Sequence, residues 1–173
     1  MSSTKTSAIA PEPTVFRISA TQLEKLPPCQ ASCPNSGDIR GWIGIIAQRD
    51  KNGLSLEAAY DKAWLTLAER NPFPAVIGRI CPRPCEDACR RKYVDEPVAI
   101  NYIKRFAADF ERSGKERVQP YCAPSTGRKV AVVGGGVEGL STAFFSARLG
   151  HSVTVYEASD KLGGLLRTAI ARE

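Results

Sequence analysis

Five of the six cysteines fall into two tight groups, Cys29-Gln-Ala-Ser-Cys33-Pro34 and Cys81-Pro-Arg-Pro-Cys85-Glu-Asp-Ala-Cys89. Thiolates grouped in this way are metal or cluster ligands when nothing in the sequence signals export to an oxidising compartment. Structural zinc sites favour knuckles with two residues between cysteines, whereas both groups here leave three, so zinc is the weaker candidate. An iron–sulfur cluster suits the pattern better. It takes thiolates that reach the corners of a cube from a wrapped loop, and the Cys-Pro step that recurs in such loops occurs at Cys33-Pro34 and Cys81-Pro82. Pro82 and Pro84 keep the backbone extended to about residue 84, and Pro84 can open a helix. Cys85 and Cys89 would then lie at i and i+4 on one helix face, with Cβ atoms roughly 5–6 Å apart. Arg79, Arg83, Arg90 and Arg91 surround these thiolates and are expected to offset their charge and raise the reduction potential.

A second chemistry is carried by Gly134-Gly135-Gly136-Val-Glu-Gly139. The loop follows the apolar run Lys129-Val-Ala-Val-Val133, opens a helical stretch to Leu149, and is followed by the strand pattern Ser152-Val-Thr-Val-Tyr156 closing on Glu157. In that context it is the βαβ dinucleotide fingerprint. Gly134 permits the tight turn, Gly136 lets a pyrophosphate approach the backbone, and Gly139 lets helix and strand pack closely. The pyrophosphate sits on the helix N-terminus, where free N–H groups and the helix dipole favour an anion. Glu157 can accept hydrogen bonds from ribose hydroxyls and would repel a 2′-phosphate, which disfavours NADP at this loop.

The elements that must position these residues follow from periodicity. Asp38 is an N-cap for a helix from Ile39 to Arg49, and Ser55 caps a second with Leu56, Ala59, Tyr60, Ala63, Trp64 and Leu67 on one face. A third is predicted from Pro97 to Ser113, with Ala99, Tyr102, Ile103, Phe106, Ala107 and Phe110 facing inward. Trp42, Trp64, Tyr102 and Phe106 read as core residues. The expected fold class is α + α/β, a small all-α iron–sulfur domain followed by a truncated Rossmann-type βαβ unit. The expected organisation is a flexible tail at 1–27, a helical domain at 28–113, a linker at 114–128 containing the isolated Cys122, and an incomplete Rossmann domain at 129–173.

Composition narrows the function classes. The chain has 173 residues, 43% hydrophobic and 24% charged, values that exclude coiled-coil, collagen-like and wholly disordered chains. No stretch of 18 apolar residues occurs, so no membrane span is predicted, and the N-terminus lacks a signal-peptide run, which points to the cytoplasm. The surplus of 24 Lys and Arg over 18 Asp and Glu is not interleaved with aromatic residues, and its densest part, Arg79 to Lys92, wraps the cysteines. Nucleic acid is therefore not the expected partner; the cysteines themselves or an acidic protein are. The single histidine, His151, in a helix-to-strand turn, leaves no His-rich metal site and makes a Ser-His-Asp relay improbable.

The order Cys-x3-Cys-Pro, then Asn71-Pro-Phe-Pro, Gly78-Arg-Ile-Cys-Pro-Arg-Pro-Cys-Glu-Asp-Ala-Cys89, Glu96-Pro-Val-Ala-Ile-Asn101 and Val-Val-Gly-Gly-Gly resembles the N-terminal half of the glutamate synthase small-subunit family. That group includes the amino-terminal part of dihydropyrimidine dehydrogenase and related FAD-dependent pyridine-nucleotide oxidoreductases. The resemblance covers about residues 28–170. It implies electron flow from NAD(P)H through FAD to [4Fe–4S] clusters. It assigns the glycine loop and Glu157 to FAD, and it places Gly163 and Gly164 in a second glycine pair along the flavin. Two-cluster members carry a further CxxC upstream of Cys29; Gln22 to Pro28 has no cysteine. The resemblance therefore implies one [4Fe–4S] cluster on Cys33, Cys81 and Cys85, with Cys89 or Cys29 as fourth ligand. NAD(P)H would bind a missing C-terminal domain or a redox partner subunit, and the chain reads as a fragment or as one completed by another polypeptide. The alternatives are a non-enzymatic iron–sulfur docking adapter and a zinc-structured binding domain.

Overall fold

A computed structural model describes residues 25–114 and 117–170, so the tail expected at 1–27 lies almost wholly outside the described residues. The first part is helical: α1 (Pro28–Ala31), α2 (Ile39–Ala47), α3 (Leu56–Ala68), α4 (Pro74–Ile80), α5 (Pro84–Asp87) and α6 (Ile100–Ser113), with a 3₁₀ turn at Arg90–Tyr93. A βαβ unit follows, formed by β1 (Lys129–Val133), α7 (Val137–Arg148) and β2 (Ser152–Tyr156), and then the short α8 (Leu165–Thr168). The fold class read from the sequence holds.

The caps form as their residue types require. The Asp38 carboxylate accepts from the Gly41 N–H at 2.9 Å and the Ser55 hydroxyl from the Ala58 N–H at 3.1 Å, each satisfying a donor that the first helical turn leaves free. Helix α2 packs on α3, and α6 packs on both α3 and α4. The core between them joins Ile39, Trp42, Ala63, Leu67, Ile100 and Ala107 to Cys85, with Cys29 and Cys33 packed against it.

Three sequence expectations are corrected. The third helix begins at Ile100 rather than Pro97, and its buried stripe is Ile100, Asn101, Ala107, Ala108 and Glu111. Tyr102 is 63% exposed and Phe106 49% exposed, so neither is core. Phe106 and Phe110 instead meet Tyr60 edge-on, with ring centroids 5.0 and 4.9 Å away, as a surface aromatic cluster. The inward face was phased on the aromatics, but the neighbouring helices approach the side where alanines permit close contact. Helix α4 was not anticipated, although Pro74 in its first turn is a start signal.

The two strands pair in parallel, with Lys129 opposite Ser152 and Val133 opposite Tyr156. Residues 121–126 lie along the end of α7: the Ala123 N–H donates to Arg148 O at 2.8 Å and the Thr126 N–H to Gly150 O at 2.9 Å. Arg148 also donates to Glu69 O at the end of α3, at 3.1 Å, which ties the nucleotide-type unit to the helical part.

Candidate functional site

The Cys81–Cys89 group is held by a lock between α6 and the helices that flank it. Asn101 donates its side-chain amide to Gly78 O at 2.9 Å and its backbone N–H to Glu86 Oε1 at 2.7 Å. This fastens the start of α6 to α4 and α5, the helices on either side of the Cys81 loop. Helix α1, which carries Cys29, packs against α5, which carries Cys85. Arg83 adopts the left-handed region at φ 64, turning the chain abruptly from the extended Cys81 into α5.

Cys33, Cys81 and Cys85 line one cavity of about 650 Å³. Its walls are mostly apolar, including Ile39, Trp42 and Ile77, and Val137, Ser141 and Phe145 of α7 also line it. Burial pushes the Cys85 thiol up to about 11, opposed by the nearby Lys104 ammonium. Burial also raises Cys29, which lies within electrostatic reach of Cys89. Cys122 is exposed, and its thiol meets only the Pro120 carbonyl, at 3.7 Å. All six cysteines are free thiols.

Cys85 and Cys89 do not share a helix face as the spacing suggested. Helix α5 ends at Asp87, and Cys89 is extended at φ −67, ψ 120, leading into the 3₁₀ turn. The tightened turn, in which the Cys89 N–H reaches Glu86 O at 3.0 Å, stops the helix before it gains a second turn.

The expected ring of arginines is largely committed elsewhere. Arg79 forms a two-pronged pair with Asp109 at 3.1 and 3.0 Å, and Arg91 does the same with Asp95. Arg83 stands 3.9 Å from Glu86. Arg91 keeps a Coulombic contact with Cys89, but none of the four arginines lines the cavity. The cationic groups that do are Arg70 and Lys104, and sequence reasoning passed over both. Lys104 lies one turn beyond buried Ile100, a position legible only once the phase of α6 is known.

Among the described residues no three His, Cys, Asp or Glu side chains converge as the ligands of a single metal ion. A cubane carries its irons at separate corners, so its thiolates stand farther apart than those around one ion. The donor set fits such a cluster: three thiols on the wall of an apolar cavity, a further pair nearby in Cys29 and Cys89, and a lysine beside Cys85.

The second site is built as the fingerprint requires. Gly134 has φ 101, and a Cβ at Gly139 would fall 1.8 Å from Gly134 O, so only glycine lets α7 start this close to β1. At Gly136 a Cβ would meet nothing within 4 Å, which leaves open space at the N-terminus of α7. The second glycine pair folds back on the first: the Gly163 N–H donates to Gly135 O at 2.7 Å, and a Cβ at Gly164 would come within 3.0 Å of Gly136 Cα. Sequence reading had placed the two pairs along one ligand without showing that they touch.

Glu157 sits between them. Its carboxyl is held down to about 2 by the Ser159 N–H, then by the Gly135 N–H, then by the Ser159 hydroxyl. Those donors lie at 2.9, 2.6 and 2.8 Å. A carboxylate accepts about four hydrogen bonds, so the chain's own groups use three and leave room for one more.

Residues 23–116 match the family described as dihydropyrimidine dehydrogenase domain II, 4Fe-4S cluster. The chain belongs to that family. Residues 132–172 match an NAD(P)-binding Rossmann-like domain. Among relatives of this 4Fe-4S family member, the NADP(+)-dependent formate dehydrogenase subunit beta of Moorella thermoacetica is 35% identical over 164 residues, covering 83% of this chain and 22% of the relative. The glutamate synthase [NADPH] small chain of Bacillus subtilis is 40% identical over 147 residues, covering 83% and 29%. The NAD-dependent dihydropyrimidine dehydrogenase subunit PreT of Escherichia coli K12 is 36% identical over 146 residues, covering 83% and 33%. The chain thus spans about a third or less of the length of these relatives. No helix among the described residues is long and apolar enough to cross a membrane.

Proposed function

We propose that this chain is the electron-transfer portion of an FAD- and iron–sulfur-dependent NAD(P)H oxidoreductase. The observation that carries the reading is the shared cavity: Cys33, Cys81 and Cys85 line it together with Val137, Ser141 and Phe145 of the nucleotide-type helix α7, so the two kinds of site adjoin. Cys33, Cys81 and Cys85 would hold a [4Fe–4S] cluster, with the fourth thiolate from the Cys29–Cys89 pair. Gly134, Gly135, Gly136 and Gly139 would cradle the FAD pyrophosphate at the start of α7, with Gly163 and Gly164 closing the cradle. The remaining acceptor site of Glu157 would take one ribose hydroxyl. Flavin, when bound, exchanges electrons in pairs with nicotinamide and singly with iron. The apolar walls bury Cys85 and partly cover Cys33 and Cys81, and the Asn101 lock fastens the Cys81–Cys85 segment to α6.

On this reading residues 28–113 are the cluster domain, 114–128 a linker and 129–173 part of a flavin domain. NAD(P)H binds a further domain, on the same polypeptide or on a redox partner subunit. A reducing cytoplasm suits six free thiols. Oxygen-free isolation of the full natural polypeptide, with iron, acid-labile sulfide and flavin quantified, tests the proposal. Four irons and four sulfides per chain with bound FAD are expected; iron-free protein would sink it.

A further inference from the structure

The cavity that holds Cys33, Cys81 and Cys85 is lined by a lysine with no ion-pair partner among the described residues. Lys104, half-buried on α6, lines this cavity, while among the described residues no carboxylate lies within ion-pair distance of it. The neighbouring acidic groups are already committed. Asp38, on the same wall, caps α2 through the Gly41 N–H, Glu86 accepts from the Asn101 N–H, and Asp109 is paired with Arg79. Arg70, the other cation of the cavity, is exposed to solvent and therefore screened. An ammonium facing an apolar wall is costly unless a negative group comes to meet it.

We propose that Lys104 is the counter-charge of the iron–sulfur cluster and sets its reduction potential. This rests on the cluster assignment above and goes beyond it by naming a residue that ligates nothing. A cluster on thiolates is negative, and each electron it accepts adds one negative charge, so a nearby cation stabilises the reduced form more than the oxidised one. Lys104 therefore raises the potential. Arg79, Arg83, Arg90 and Arg91, the cations that the sequence pattern favoured, are less well placed for this, because none of them lines the cavity, whereas Lys104 does.

The test is a dithionite titration of the holoprotein followed by electron paramagnetic resonance, with iron content measured in each sample. Lys104→Gln and Lys104→Met are expected to lower the midpoint, making reduction about tenfold less favourable, about 59 mV for one electron. Lys104→Arg stays near the parent. Salt weakens the difference less than it would for a fully exposed charge, because Lys104 is half-buried. Arg91→Gln, at an exposed side chain outside the cavity, shifts the midpoint less than either neutral Lys104 variant. Loss of iron from both neutral variants with retention in Lys104→Arg supports the same role, exerted at assembly. Unchanged midpoints in iron-replete neutral variants would overturn the proposal, as would an equal drop or equal loss of iron in Lys104→Arg, which would make Lys104 a packing residue. A parent protein without iron would overturn the cluster assignment itself, a result separable from all of these.

Discussion

The two halves of the molecule build their sites in opposite ways. The Rossmann-type unit collects its groups from one continuous run: Gly134 to Gly139, Glu157 and the Gly163–Gly164 pair lie within 31 residues and meet by backbone contact. The helical half draws Cys33, Cys81, Cys85 and Lys104 from three separated segments, which side chains such as Asn101 must hold in register. A contiguous site depends on backbone conformation at a few glycines, whereas a convergent one depends on packing and so fails when a distant prop is removed. If the halves are separable in this sense, damage to one should leave the other loaded.

The largest effect should come from the ligands. Cys81→Ser and Cys85→Ser are each expected to abolish the iron-derived visible absorption while FAD remains bound, and Cys122→Ser should leave both unchanged. Flavin lost together with iron would break the comparison and make the shared cavity a single cooperative site. Next comes Gly139→Val. Its branched side chain has no room beside Gly134 O, and overpacking of this kind costs about 1–3 kcal/mol. FAD should be lost and iron kept, as measured by cofactor content and thermal melting. Gly136→Ala is the milder counterpart: its Cβ clashes with nothing in the chain, so the melting temperature should hold while FAD affinity falls, because the proposed pyrophosphate would occupy that space.

The same contrast explains what could be read from the sequence. The strand, loop, helix and strand at 129–157 were legible residue by residue, because the fingerprint is local: Gly134 is needed for its positive φ and Gly139 for its close approach to Gly134 O. Asp38 and Ser55 were legible as caps for the same reason. The helical half was legible in its cysteines but not in what surrounds them. The inward face of α6 was right at Ile103 and Ala107 and wrong at Tyr102 and Phe106, because hydrophobicity favours aromatics while close helix contact favoured alanines such as Ala107 and Ala108. Lys104 was lost with that phase error. The arginines near Cys81 were counted as cluster charge because their partners, Asp109 and Asp95, cannot be paired to them without the fold. Position on a helix is local information; which neighbour reaches it is not.

The smallest effect sharpens the contiguous side of the comparison. Three donors converge on the Glu157 carboxylate, so replacing it with an amide leaves one oxygen to accept and sets an N–H group against another donor. Glu157→Gln should weaken FAD binding about tenfold, read by fluorescence titration, with iron content untouched. The pH dependence fixes the cause. The carboxyl is depressed from its ordinary 4.5 to about 2, so its hold on the loop is complete above pH 4.5 and is withdrawn only as pH falls toward 2. Between pH 5 and 8 the group does not change charge, and the ratio of variant to parent dissociation constants should be flat. A ratio that changes across that window would mean that Glu157 acts through a second titrating group and not through the fixed donors of Gly135 and Ser159.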